Sequence, residues 1–161
     1  MYAVTSTLSM RNILPMNDTV STQTTSSERT YSGVAISERA AVRRQRFIQA
    51  GITLFGSNGY QATTMRKLTA ESGLTNRYFY ESFQSMEDLL IACYESLMSD
   101  FRDQLKTVLD SASGEPEQRI RVGLTCFFQA MSKPEFARIT HSEVLGVSPR
   151  VEAVYSRYTA D

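Results

Sequence analysis

Residues 44–90 read RQRFIQAGITLFGSNGYQATTMRKLTAESGLTNRYFYESFQSMEDLL, and the punctuation of this stretch decides the fold. Phe47, Ile48, Gly51, Ile52, Leu54 and Phe55 recur at the i, i+3, i+4, i+7, i+8 spacing of one buried helical stripe, while the arginines before them fall mainly elsewhere. Gly56 and Gly59 in GSNGY predict the end of that helix. A short helix follows from Thr64 to about Ser72, with the Thr64 hydroxyl placed to cap it. Gly73 predicts a tight turn, and Thr75 opens a second short helix, NRYFYESF. Ser85 and Asp88 then have the spacing of a capping box and start a long helix.

Two short helices joined by a glycine turn and packed on a longer first helix form a helix-turn-helix unit. Leu68 and Leu74 are expected inside, setting the crossing of the short helices, and Phe79 and Phe83 bury the inner face of the second. That leaves Thr75, Asn76, Arg77, Tyr78, Tyr80 and Glu81 facing outward or at the edge. Arginine and asparagine bond bidentately to guanine and adenine edges, and hydroxyls and helix-start N–H groups suit phosphate oxygens. Plainer readings stand beside this one: Tyr80 as core packing, Arg77 as a solvated cation.

The whole chain has a formal net charge of zero, but the charge is unevenly spread. From Ser37 to Ser85, Arg39, Arg43, Arg44, Arg46, Arg66, Lys67 and Arg77 face only Glu38, Glu71 and Glu81, a net of +4. The remainder from Met86 on carries a net of −4. Phosphate binding needs local positive potential, which a neutral average can hide.

Outward from this core, residues 1–36 are rich in Ser and Thr and lack sustained periodicity, so a disordered arm is expected there, with 37–84 the DNA-binding unit and 85–161 a helical body. Met10 and Met16 leave a later start codon open. The long helix from Ser85 places Leu89, Leu90, Cys93, Leu97, Phe101, Leu105 and Val108 on one side, and SASGEP ends it. Pro116 opens a helix carrying Ile120, Leu124, Phe127, Phe128 and Met131. Pro134 starts one through Phe136, Ile139, Val144 and Leu145, and Pro149 opens a last with Val151, Val154, Tyr155 and Tyr158. No stretch reads as a strand, so the fold class is all-α.

Several classes of function are excluded or disfavoured. No run approaches the ~18 apolar residues of a membrane span, and no secretory leader is legible at the N-terminus. Cys93 and Cys126 are isolated in helical patterns and fit neither a disulfide framework nor a zinc site, so buried free thiols in a cytoplasmic setting are expected. There is no glycine-rich phosphate loop, no cofactor or metal motif and no nucleophile–base set, so the chain does not read as an enzyme.

The stretch 44–90 resembles the N-terminal domain of the TetR (tetracycline-repressor-like) family throughout. Arg46, Ala50, Leu54, Phe55, Gly59, Tyr60, Thr63 and Thr64 match its first helix and the approach to the second. Leu68, Ala70, Gly73, Leu74, Thr75, Tyr80, Phe83, Ser85, Glu87 and Leu89 match the rest in register. The resemblance implies a three-helix DNA-binding head followed by an antiparallel regulatory bundle. It also implies a sequence-specific regulator of transcription, commonly a repressor released by a small-molecule effector. The DNA-binding set it implies is Thr64, Arg66, Lys67, Thr75, Asn76, Arg77, Tyr78 and Tyr80, with Thr64 and Tyr80 on phosphate. Three departures matter. Arg77 and Tyr78 are larger than the family's usual residues, Glu81 stands where His is common and would repel phosphate unless paired, and Met86 replaces a usual Lys.

Leu97, Phe101, Phe127, Phe128, Met131 and His141 are the expected ligand-binding residues, with Cys93, Leu124, Ile139 and Glu143 as wider pocket candidates. For such a stripe plain core is the alternative. The family's partners are double-stranded operator DNA, a small effector and a second copy of the chain. Since the sequence reaches Asp161 soon after the seventh predicted helix, the two dimerisation helices are expected to be missing from it. The residues leave open a truncated DNA-binding product without an inducible switch, and a helical ligand-binding or scaffold protein without DNA function.

Overall fold

Phe47, Ile48, Ala50, Leu54 and Phe55 form the buried stripe of α1 (Thr25–Asn58), around which the other helices are arranged. A computed structural model describes residues 25–112 and 114–160, with side chains from residue 37 onward. Every element among them is helical. They are α2 (Met65–Ser72), α3 (Asn76–Ser82), α4 (Met86–Ser111), α5 (Pro116–Met131), α6 (Pro134–Arg138), a π-helical turn (Ile139–Glu143) and α7 (Pro149–Thr159). The expected arm over 1–36 lies outside the described residues up to position 24 and is corrected beyond it, because α1 begins at Thr25. Once a helix is nucleated by a packed stripe, each added residue gains a backbone hydrogen bond at little cost, so polar residues are carried along.

Six residues near the start of α4 are buried on all sides. Leu89, Leu90, Ile91, Ala92, Cys93 and Tyr94 are consecutive and all buried, which no one-sided stripe predicts. α1 covers one face, and α7 covers another through Tyr155 and Tyr158, whose rings lie 6.2 and 5.5 Å from that of Tyr94. Cys93 donates to the Ile48 carbonyl at 3.4 Å, and burial pushes its thiol well above the ordinary range, so it is an inert core residue. Cys126 is likewise free and buried, as expected.

The capping box at the start of α4 is present. Ser85 Oγ accepts from the Asp88 N–H at 3.1 Å, while Asp88 Oδ2 accepts from the Gln84 and Ser85 N–H groups at 2.9 and 3.1 Å. Oδ1 forms an ion pair with Arg150 Nη1 of α7 at 2.5 Å. Burial works against the charge of Asp88, yet Arg150 and the two backbone donors outweigh it and hold the carboxyl below its usual range.

The expected regular helix from Pro134 through Leu145 is corrected: regular geometry ends at Arg138, a π turn follows, and Leu145 is half exposed. A π turn brings positions five apart onto one side. Here these are Arg138 and Glu143, with Arg138 Nε donating to Glu143 Oε1 at 2.7 Å. The pair reaches across to the end of α1. Arg138 Nη1 donates to the Ser57 carbonyl at 2.9 Å, and Glu143 Oε2 accepts from the Tyr60 N–H at 2.7 Å. Gly59 lies between them at φ +89°, where an added Cβ would stand 2.7 Å from Arg138 Nη2. The clamp joins the helical body to the loop that leads into α2.

Two outcomes follow. Glu143→Ala strands the Tyr60 N–H and removes the counter-charge of Arg138, and is expected to cost about 1–3 kcal/mol in thermal or urea unfolding. Asp88, with a folded pKa below its unfolded value, contributes stability above about pH 4 that is lost as pH falls through the folded value. Asp88→Asn should therefore lower the urea midpoint at pH 7 and lose less than the unaltered protein on acidification to pH 3.

Candidate nucleic-acid interface

The exposed row on α3 is held out by the burial of its opposite side. Phe79 is fully buried and Phe83 is nearly so. Phe47 of α1 meets both edge-on, with ring centroids 5.5 and 6.4 Å away, and the two rings of α3 lie 5.5 Å apart. Edge-to-face aromatic packing is directional, so it sets the rotation of α3 about its own axis as well as its position. With that rotation Thr75, Asn76, Arg77, Tyr78 and Tyr80 are exposed, as the sequence predicts. Tyr80 is 64% exposed, against the alternative of core packing.

α2 is placed by Leu68, which is fully buried, and by its two ends. Thr64 is the N-cap, its hydroxyl accepting from the Lys67 N–H at 3.4 Å. At the other end Gly73 adopts φ +64°, the left-handed conformation that closes the helix and starts the turn. Arg46 of α1 donates to the Ser72 carbonyl at 2.7 Å, satisfying an orphan acceptor at the negative end of the helix dipole. Leu74 is only partly buried, less than expected, and packs at the edge of the core. Thr75 occupies the N-cap position of α3, but its side chain makes no capping hydrogen bond, leaving the hydroxyl to other partners.

The basic residues of the head divide by their surroundings. Arg44 stacks over the Phe83 ring at 4.7 Å and Arg43 over the Tyr78 ring at 4.5 Å. Lys67 Nζ donates to the Ala62 carbonyl at 2.9 Å, so its charge sits at the α1–α2 loop beside Thr64. Arg66 is exposed on α2, and Arg77 has 85% of its side chain exposed. Glu81 is paired, as its place in a basic head requires: its Oε1 lies 3.1 Å from Arg77 Nε and its Oε2 3.6 Å from Arg43 Nη2. Met86 packs against the core instead of standing out from α4.

The expected ligand residues converge only in part. Leu97 and Phe101 line a cleft of about 330 Å³ with Ile52, Ala130, Lys133 and Phe136. Phe127 touches Phe101, with centroids 6.3 Å apart, but is 38% exposed, and Phe128 is 63% exposed on the outer side of α5. Met131 is partly buried and is not among the residues lining the cleft. His141 is exposed, its Nδ1 2.7 Å from Thr140 Oγ1, and Glu143 is engaged in the clamp. The cleft residues that the stripe pattern missed, Ile52 and Phe136 among them, come from two other helices. No periodicity within one helix could have indicated them.

Replacing Gly73 by Ala forces a β-carbon into the left-handed region and brings it 3.0 Å from Arg46 Nη2, within the bond that closes α2. The expected loss is about 1–2 kcal/mol of unfolding free energy, read by chemical denaturation.

Comparison with known proteins agrees with this geometry. Residues 47–93 match the family described as bacterial regulatory proteins, tetR family. The HTH-type transcriptional regulator YerO of Bacillus subtilis is 28% identical over 78 residues, covering 48% of this chain and 27% of that protein. The HTH-type transcriptional regulator BetI of Rhizobium meliloti is 29% identical over 89 residues, covering 55% of this chain and 43% of that protein. The chain thus spans less than half the length of these curated relatives, whose names are those of regulators and not of enzymes. Among solved structures, the fatty acid degradation regulator FadR from Bacillus halodurans superposes with a TM-score of 0.64 at 18% identity, covering 73% of this chain and 60% of that one. A TetR-family regulator from Mesorhizobium loti gives 0.64 at 20% identity, covering 74% and 61%. At such identities these two likenesses concern the fold alone: a helix-turn-helix head on a helical bundle. The head of the chain, residues 47–93, thus matches the tetR family of bacterial regulatory proteins, and the helices beyond it share the fold of the solved structures.

Proposed function

We propose that this protein is a sequence-specific DNA-binding regulator of transcription, with α3 entering the major groove and α2 lying across the backbone. The observation that carries this reading is the two-sidedness of α3. Phe79 and Phe83 anchor it to α1, while Thr75, Asn76, Arg77, Tyr78 and Tyr80 project from a head of net charge +4. Such a row supplies both kinds of contact that recognition needs, base-edge donors and phosphate partners. Thr64, Arg66 and Lys67 at the start of α2, with Tyr80, are the phosphate contacts of this reading; Asn76 and Arg77 are its base readers. Among the described residues no helix is long and apolar enough to cross a membrane.

Repression relieved by a small molecule is the further part of the proposal. The cleft lined by Leu97, Phe101 and Phe136 has the volume of a modest ligand site and lies against α1. Its neighbour Arg138 bonds the end of that same helix, so a ligand that moved α6 would strain the approach to α2. Two copies of the chain binding half-sites about one helical turn apart would supply the affinity that one head lacks.

Selection of duplexes from a random-sequence pool, with affinities measured at two salt concentrations, tests the reading. Binding should be selective and should weaken with salt in proportion to the phosphates contacted. Arg77→Ala is expected to relax selectivity at one base position, costing about 1–3 kcal/mol there. Absence of binding at low salt would overturn the proposal in favour of a helical ligand-binding or scaffold role.

A further inference from the structure

Glu81 is an unexpected residue on the exposed side of a recognition helix, because a carboxylate there repels the phosphates on either side of the groove. Its two oxygens are engaged by two arginines from different helices. Oε1 meets Nε of Arg77, one turn earlier on α3, at 3.1 Å, and Oε2 meets Nη2 of Arg43 on α1 at 3.6 Å. Arg43 is itself fixed, its guanidinium stacked 4.5 Å over the Tyr78 ring and its side chain only 24% exposed. Stability is a weak reason for the arrangement, since pairs as exposed as Arg77 and Glu81, at 85% and 42%, contribute little.

The geometry bears instead on how Arg77 is presented. A guanidinium offers its donors as a planar fork, and a carboxylate on Nε leaves the terminal edge, Nη1 and Nη2, for a second bidentate partner. Guanine O6 and N7 form such an acceptor pair in the major groove. A long, solvated arginine otherwise reaches a neighbouring phosphate as readily as a base, because its side chain has many rotamers and the phosphate carries the charge. Tethering Nε narrows that choice, and the opposing charge of Arg43 keeps the tether from adding net repulsion.

We propose that Glu81 is a specificity-determining positioning residue: braced from α1 by Arg43, it holds Arg77 by Nε so that the end of the guanidinium reads a guanine in preference to gripping a phosphate. This inference rests on the DNA-binding reading above. It gives Arg43, which has no place in the row of groove residues, a role in base selection.

The test uses the full chain and a duplex that the unaltered protein selects from a random-sequence pool, together with its single-base-pair variants. Affinities are measured for the unaltered protein, Glu81→Gln, Glu81→Ala, Arg77→Ala and the double variant Arg77→Ala/Glu81→Gln. The unaltered chain is expected to prefer guanine at one position by about tenfold or more. Both Glu81 variants should reduce that preference by about fivefold or more while binding to the other variants stays equal or tightens. In the Arg77→Ala background Glu81→Gln should change no preference at all. Arg43→Gln should reduce the same preference at the same position. A uniform tightening on every duplex, equal with and without Arg77 and with the preference intact, would make Glu81 only a repulsive charge and overturn this inference while leaving DNA binding in place. Failure of the unaltered chain to bind any duplex at low salt would overturn the DNA-binding reading and this inference with it.

Discussion

The edge of the Phe47 ring on Phe79 and Phe83 governs what this protein can present to a partner. α3 has seven residues, too few to be stable as an isolated helix, so its existence and its rotation both depend on burying one face against α1. Two phenylalanines four positions apart do this, and Arg44 closes the site by stacking on the outer face of Phe83. The polar residues between and beside them are then exposed by geometry, not by their own preference. A rotation of α3 by a third of a turn would bury Tyr78 or Tyr80 and expose Phe79, which the aromatic contacts forbid.

The same helix that anchors α3 also carries the connection to the body. α1 supplies Phe47 near its middle, Arg46 to the end of α2, and the carbonyls of its last turn to Arg138. It also forms one wall of the cleft through Ile52 and Thr53. Head and body are therefore not two units joined by a linker but two sets of helices sharing one long rod. The π turn after α6 is part of that sharing: it brings Arg138 and Glu143 together at the loop before α2. The pair thereby holds Gly59 and Tyr60, four residues or so before the expected phosphate contact Thr64.

Much of the head was legible in the sequence because its signals are local. Gly73 at a positive φ, Thr64 and Ser85 as caps, and the Phe79–Phe83 spacing are each decided by residues within about one helical turn of one another. The pairing of Arg77 with Glu81 belongs to this class, since positions four apart on a helix are neighbours. Legibility failed where a residue's surroundings come from distant chain. The stripe on α4 appeared one-sided, yet Ile91, Ala92 and Tyr94 are buried too, because α7 returns to cover them. Residues assigned to a ligand pocket were also separated: Phe128 is left exposed beside Phe127, where no other helix among the described residues covers it, and His141 lies on the outside of a turn whose geometry departs from the regular period.

The sequence by itself determined that the chain is helical, where the head's helices begin and end beyond Ser37, and which side of α3 faces out. Periodicity, capping and turn chemistry act between near neighbours and are written in their spacing. Only the tertiary structure decided which charges meet. Arg43 reaches Glu81 across 38 positions and Glu143 reaches the Tyr60 N–H across 83, distances over which spacing carries no information. Electrostatic and hydrogen-bond partners are chosen through space, after packing has brought the helices together, and so the residue that steadies Arg77 from the neighbouring helix became visible only in the folded chain.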